Sequence, residues 1–189
     1  MLIDGQNFRY KLPNWTRLNV DYYKLGQILY GNEAATNRMR IIYIDLFTVE
    51  KSATEFPSIE AKNGFINGLT SRGIEIQTCD VNNLPLKKNG KKITNMDRFI
   101  ILNLEIVADD PGVSHVVMMS GDGDFYPHLK RALNNGKRVT VVSVRDSISP
   151  KFVNDPRIEV IYFDEIKKEL ISPTYLDEKE AGQFLLTNE

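Results

Sequence analysis

Three short apolar runs punctuate the chain: Arg40-Ile41-Ile42-Tyr43-Ile44, His115-Val116-Val117-Met118-Met119 and Val139-Thr140-Val141-Val142-Ser143. Each is continuous rather than alternating, and each is bounded by polar residues or glycine. Strands covered on both faces read this way, as in a parallel sheet. Leu2-Ile3 reads as the end of another such strand, and Ile74 to Cys79 alternates like a more exposed one. Between them, apolar residues recur at helical spacing. Tyr22, Leu25, Ile28 and Leu29 predict a helix capped by Asn19 or Asp21 and stopped by Gly31. Pro57 opens a second, carrying Ile59, Ala61, Phe65, Ile66 and Leu69 and closed by Gly73. Phe99 to Val107 predicts a third, with Asp97 at or near its first turn. Phe125 to Leu133 predicts a fourth, ended by Asn134-Asn135-Gly136. The order β-α-β-α-β-α-β-α-β predicts a doubly wound, three-layer α/β/α fold around a mainly parallel sheet of about five or six strands. The tail after Ile171 reads as either a loose helix or disorder.

Composition narrows this picture. At 42% hydrophobic and 26% charged over 189 residues, the chain suits one domain with a buried core. No apolar run approaches the roughly 20 residues that span a bilayer. The first residues lack the basic and apolar regions of a signal peptide. The single cysteine, Cys79, excludes an internal disulfide. A soluble cytoplasmic protein, without membrane contact, is the expectation. Net charge is −1, so no global field attracts polyanions. Local basic pairs stand at Lys87-Lys88, Lys91-Lys92, Lys130-Arg131 and Lys137-Arg138.

In a parallel α/β sheet, ligands gather beyond the carboxyl ends of the strands. Asp4 directly follows Leu2-Ile3, with Gly5 to turn the chain and Asn7 just beyond. Asp122 and Asp124 follow the Val116 to Met119 run in Ser120-Gly121-Asp122-Gly123-Asp124-Phe125, where two glycines permit a tight turn. Carboxylates crowded at neighbouring strand ends repel unless protons or cations share the charge. Mg²⁺ or Mn²⁺ is the natural cation for oxygen ligands of this kind. Without an ion, at least one of these carboxylates is expected to titrate above its ordinary value. The competing role for an aspartate at a strand-to-helix junction is an N-cap, which applies most directly to Asp124. Asp45 and Asp80 also end strands but lack turn chemistry, so they read as structural. His128 lies four residues after Asp124 on one helix face and is a weaker candidate for the site, while His115 reads as structural. Phe8, Tyr10 and Trp15 fall in a stretch that reads as loop, where they either stack on unpaired bases or pack over the sheet edge.

Taken together, Ile3-Asp4-Gly5-Gln6-Asn7, then Asp97 opening a helix, then Ser120-Gly121-Asp122-Gly123-Asp124-Phe125 followed by Gly136-Lys137-Arg138-Val139, resembles the NYN/LabA-like family of PIN-related nucleases. The resemblance covers roughly Met1 to Val144. It implies a PIN-like NYN domain over residues 1–170 with a C-terminal tail over residues 171–189. It further implies a divalent-metal-dependent ribonuclease, whether endo- or exonucleolytic, acting on RNA that is single-stranded or structured. By the same likeness, Asp4, Asp97, Asp122 and Asp124 are the catalytic residues and the ligands of Mg²⁺ or Mn²⁺. Asn7 is expected to orient Asp4 or contact substrate, and Ser120 to hydrogen-bond a carboxylate or a substrate phosphate. Lys91 and Lys92, which lie outside the matched motifs but close before Asp97, are expected as further substrate contacts. A homodimer is compatible with the resemblance.

Two positions depart from the family pattern. Six residues after Asp97 the family commonly carries another aspartate, and here stands Asn103; Glu105 lies about 200° round the helix from it and does not substitute. Three residues before Asp97 the family often has lysine, and here stands Thr94. The expectation is a second ion held weakly, with Asn103→Asp lowering the metal concentration needed for cleavage. Phosphatases of the haloacid-dehalogenase type need an aspartate where this chain has Gln6, and Toprim domains need a glutamate where it has Asp4. The remaining rival is a degenerate PIN-like module that binds RNA or a protein without cutting.

Overall fold

The computed structural model describes residues 1–11, 20–30, 39–45, 58–78 and 96–170. Six strands form one sheet in the order β3-β2-β1-β4-β5-β6: β1 Leu2–Asp4, β2 Ile42–Asp45, β3 Glu75–Thr78, β4 His115–Met119, β5 Arg138–Ser143 and β6 Ile158–Tyr162. Every neighbouring pair is parallel, as the unbroken apolar runs predict. Seven described helices accompany them: α1 Gly5–Lys11, α2 Tyr22–Tyr30, α3 Ile59–Thr70, α4 Met96–Asp109, α5 Tyr126–Asn134, the single turn α6 Pro150–Val153 and α7 Phe163–Leu170. None is long and apolar enough to cross a membrane.

Alternation along each strand sorts the core into two layers. Leu2, Ile42, Ile44, Val116, Met118, Val139 and Val141 meet Met96, Ile100 and Leu104 of α4, Leu129 of α5 and Phe152 of α6. Ile3, Tyr43, Val117, Met119 and Val142 face the other way, toward Phe8 of α1, Leu25 of α2, Leu69 of α3 and Phe163 of α7. The helical segments end where local chemistry ends them. Asp21 accepts the N–H groups of Tyr23 and Lys24, both at 3.0 Å, which fixes the start of α2. The start of α3 is capped by Ser58, whose hydroxyl accepts the Ala61 N–H. Gly73 and Gly136 follow α3 and α5 with φ of +78° and +76°, a conformation that disfavours a side chain.

Three elements differ from the sequence reading. Gly5 to Lys11 is helix rather than loop. Phe8 is therefore not presented to a base: it is buried at 2% exposure, edge-on to Phe163 with ring centroids 4.9 Å apart. The Tyr10 side chain and Trp15 lie outside the described residues. The stretch beyond Asp155 adds β6 and α7, whose Phe163 and Leu170 are fully buried. Their pattern is masked by charge, since Ile158-Glu159-Val160-Ile161-Tyr162 is an edge strand and the middle of α7 is Asp164 to Lys168. Residues 171–189 lie outside the described residues, as do Asn19, Gly31, Pro57, Cys79, Asp80, Lys87, Lys88, Lys91, Lys92 and Thr94.

His115 is structural. Thr140 uses its only hydroxyl proton on Glu159 (2.7 Å), so the 2.8 Å contact of His115 Nε2 with Thr140 Oγ1 requires the imidazole to donate. Burial, reinforced by Arg138, holds its pKa down at about 4.

Candidate active site

Strand order reverses between β1 and β4, because β2 and β3 extend the sheet to one side and β4 to β6 to the other. The chain returns from edge strand β3 to central β4 through the segment that contains α4. A crevice forms at such a switch point, outside the carboxyl ends of the strands. Asp4 closes β1 there and Ser120 directly follows β4. The Ser120 hydroxyl donates across the boundary to Asp4 Oδ2 at 2.9 Å, and the Asn7 N–H donates to Asp4 Oδ1 at 2.9 Å. The same Ser120 oxygen accepts the Asp122 N–H at 3.2 Å, which ties the turn after β4 to the carboxylate after β1.

Asp4 is 4% exposed. Burial pushes its carboxyl up to about 7, with the charges of Asp97 and Asp45 adding to the effect and the two hydrogen bonds opposing it. Asp97, in the first turn of α4, is also raised, first by partial desolvation and then by Asp122 and Asp124. The electrostatic coupling expected among these groups is therefore present, but desolvation outweighs it.

Asp122 and Asp124 divide their roles differently from the sequence reading. Asp122, not Asp124, is the N-cap: its Oδ1 accepts the Asp124 N–H at 2.9 Å and starts the 3₁₀ turn Gly123–Phe125. Asp124 is exposed. Neither glycine of this turn has positive φ. What they provide is room. A Cβ on Gly121 would stand 2.2 Å from the Ser147 carbonyl oxygen, and one on Gly123 would stand 2.4 Å from the Ser149 hydroxyl. The segment after β5 presses against the aspartate turn, and Ser149 N–H donates to the Gly121 carbonyl at 2.9 Å. Gly123→Ala is expected to lower stability by about 1–3 kcal/mol through this overpacking; an unchanged urea midpoint would show that Ser149 yields without cost.

Asp45, read as structural, is fully buried at the end of β2 and accepts the Tyr43 hydroxyl at 3.1 Å. It nevertheless belongs to the electrostatic surroundings of Asp4. The strand-end position of Asp45 was the available signal. Gly5 has no space for a side chain because Asp45 Oδ2 and the Tyr43 ring would lie 2.5 and 2.6 Å from its Cβ. His128, the weaker candidate, is engaged between helices, as the structural alternative expects. Its Nδ1 meets Glu105 Oε1 at 3.0 Å and links α5 to α4.

Asn103 is engaged elsewhere. Its amide nitrogen donates to Gln77 Oε1 and to the Phe99 carbonyl, both at 2.8 Å. Gln77 in turn donates to Glu75 (2.8 Å), which accepts Arg40 (2.6 Å). The backbone carbonyl at one end and the carboxylate at the other only accept, so they fix the orientation of both amides.

No group of three or more His, Cys, Asp or Glu side chains among the described residues lies close enough to hold a metal ion. The donor chemistry still suits one. All the groups are hard oxygens, and each hydrogen-bonded oxygen of Asp4 retains a second lone pair. Mg²⁺ commonly uses one or two carboxylates and completes its shell with water and substrate phosphate.

An all-parallel, doubly wound α/β domain with coupled aspartates at its switch point is the class these features define. The chain belongs to the NYN domain family, whose model matches residues 1–164. NYN domains are a PIN-like, nuclease-type family. A solved structure of a protein of unknown function from Vibrio parahaemolyticus has a similar fold, with a TM-score of 0.65 at 20% identity over 90% of this chain and 93% of that chain. No curated protein matches.

Proposed function

We propose that the chain is a divalent-metal-dependent ribonuclease that hydrolyses phosphodiester bonds of single-stranded RNA. The observation that carries this reading is the buried Asp4 carboxyl, held across the strand-order reversal by Ser120 and electrostatically coupled to Asp97. A carboxylate kept in so unfavourable a setting is a marker of function rather than of stability. Asp4 and Asp97 would hold Mg²⁺ or Mn²⁺, with Asp122 and Asp124 completing the acidic rim. When bound, such an ion supplies an activated water and neutralises charge building on the phosphate. Ser120 and the Asn7 backbone orient Asp4. The Asn7 side chain is assigned to substrate contact by family likeness, and Lys91 and Lys92 as basic residues that closely precede Asp97 in sequence.

A second reading, a module that binds RNA without cutting, is favoured by one observation. The residue at the family's further aspartate position, Asn103, is committed to Gln77 and the Phe99 carbonyl. Cleavage of labelled single-stranded RNA, titrated with Mn²⁺, separates the two. The parent is expected to cut, and Asp4→Asn and Asp122→Asn to lose at least about 100-fold in rate. Variants that cut like the parent would mean that the site lies elsewhere. A parent that binds RNA but leaves it intact establishes the second reading.

A further inference from the structure

We propose that Lys151 is a phosphate-binding residue of this site, gripping the RNA backbone beside the Asp122–Asp124 turn; the proposal rests on RNA being the ligand. Lys151 is remote in sequence from every motif residue, yet its Nζ donates to the Gly123 carbonyl at 3.2 Å, between the two aspartates. It is exposed, while its neighbour Phe152 is fully buried and packs edge-on to Tyr126. The chain is therefore anchored at Phe152, and the lysine is carried outward at a fixed place. The Ser149 N–H bond to Gly121 secures the other side. The close approach that Gly121 and Gly123 permit thus delivers an ammonium to the acidic turn.

Most other described cations near the carboxyl half of the chain are already committed. Arg131 pairs with Asp109, Arg138 with Glu159, Arg145 with Glu165 and Arg157 with Asp155. Lys137 donates to two backbone carbonyls, at 2.6 Å each. Lys130 lies over the Tyr126 ring. Lys151 makes no ion pair among the described residues. Its single bond goes to a neutral carbonyl, which leaves two N–H donors for a ligand. The protein carries a net charge of −1 and the crevice is lined with aspartates, so an approaching phosphodiester meets repulsion. A cation at the rim offsets that repulsion where the backbone must lie, and a compact ammonium suits a phosphate oxygen.

The test is RNA binding in EDTA, where cleavage does not intervene, read by fluorescence anisotropy of a labelled single-stranded RNA at several salt concentrations. Lys151→Ala is compared with Lys151→Arg and with Lys24→Ala, an exposed lysine on α2. Lys151→Ala is expected to weaken binding about 3–10-fold and to reduce the slope of log affinity against log salt by about 0.7, the release of one phosphate contact. Lys151→Arg should retain most of the affinity, and Lys24→Ala should change little. Equal losses for Lys151→Ala and Lys24→Ala, or none for Lys151→Ala, overturn the proposal. If the parent binds RNA but does not cut it with Mn²⁺, the nuclease reading fails and the Lys151 result still stands. If the parent cuts and Lys151→Ala binds undiminished, the reverse holds. A parent that binds no RNA in EDTA overturns the Lys151 proposal, and the nuclease reading is then decided separately by cleavage with Mn²⁺.

Discussion

In metal-free buffer near pH 8, Asp4→Asn is expected to be more stable than the parent by about 2–4 kcal/mol, although it removes the carboxylate proposed to hold the metal. The folded protein holds the Asp4 proton up to about pH 7, whereas the unfolded chain releases it near 3.8. Between those values the native state binds more protons, so raising the pH drains stability from the parent; above pH 7 the full penalty applies. A carboxyl displaced that far corresponds to about 4 kcal/mol, an upper figure because the site relaxes. Asparagine is isosteric and keeps the Asn7 N–H bond through its Oδ1. The Ser120 hydroxyl can reverse and accept from the new amide. The comparison is made by urea unfolding of both proteins at pH 4 and pH 8. The gap should be present at pH 8, small at pH 4, and reversed at pH 8 by saturating Mn²⁺, which stabilises only the parent by binding its native state. A parent as stable as Asp4→Asn at pH 8 without metal would mean that water reaches the carboxylate and that its burial carries no strain.

The parts of this architecture that were legible in the sequence are those in which one local rule dominates. The strands flanking the switch point are covered on both faces, so their apolar runs are unbroken, and β1, β2, β4 and β5 could be placed from them. The ends of α3 and α5 were legible because only glycine sits easily at φ near +77° after them. What escaped was chemistry supplied from a distance. Gly5 to Lys11 follows a turn-like Asp-Gly pair and has a weak helical pattern, so α1 was hidden; Phe8 becomes intelligible only when Phe163 packs on it. Acidic and basic residues diluted β6 and α7. At the site, the strand ends and the glycine-flanked aspartates identified Asp4, Asp122 and Asp124 as candidates. No sequence pattern could assign the cap to Asp122 rather than Asp124, or show that the glycines make space for the Ser147 to Lys151 segment. Nor could spacing reveal that Asn103 reaches Gln77, because their contact joins α4 to an edge strand 26 residues earlier.

That contact changes what Asn103→Asp should do. A carboxylate has no proton to donate, so the substitution removes both 2.8 Å bonds and sets negative charge against the Gln77 and Phe99 oxygens in a site only 8% exposed. The loss should be about 2–4 kcal/mol, two hydrogen bonds together with the cost of burying an unpaired acceptor. Gln77 can rotate its amide to donate to the introduced carboxylate, but its oxygen then faces Glu75, and the conflict passes along β3. Replacing Glu75 with glutamine supplies a donor at that point, at the expense of an exposed Arg40 ion pair contributing about 0–1 kcal/mol. The double variant Asn103→Asp, Glu75→Gln should therefore recover about 1–2 kcal/mol of the loss, a coupling that independent sites do not show. Urea unfolding of the four proteins in the cycle measures it, and strict additivity would mean that the amide chain from Asn103 to Arg40 is not a connected unit. The same proteins answer the question of metal. For the new carboxylate to reach an ion it must abandon the direction that Asn103 takes toward Gln77. A lowered Mn²⁺ requirement in the double variant, with stability restored, would show that it does. An unchanged requirement would show that this position has exchanged metal binding for a brace between α4 and the sheet edge.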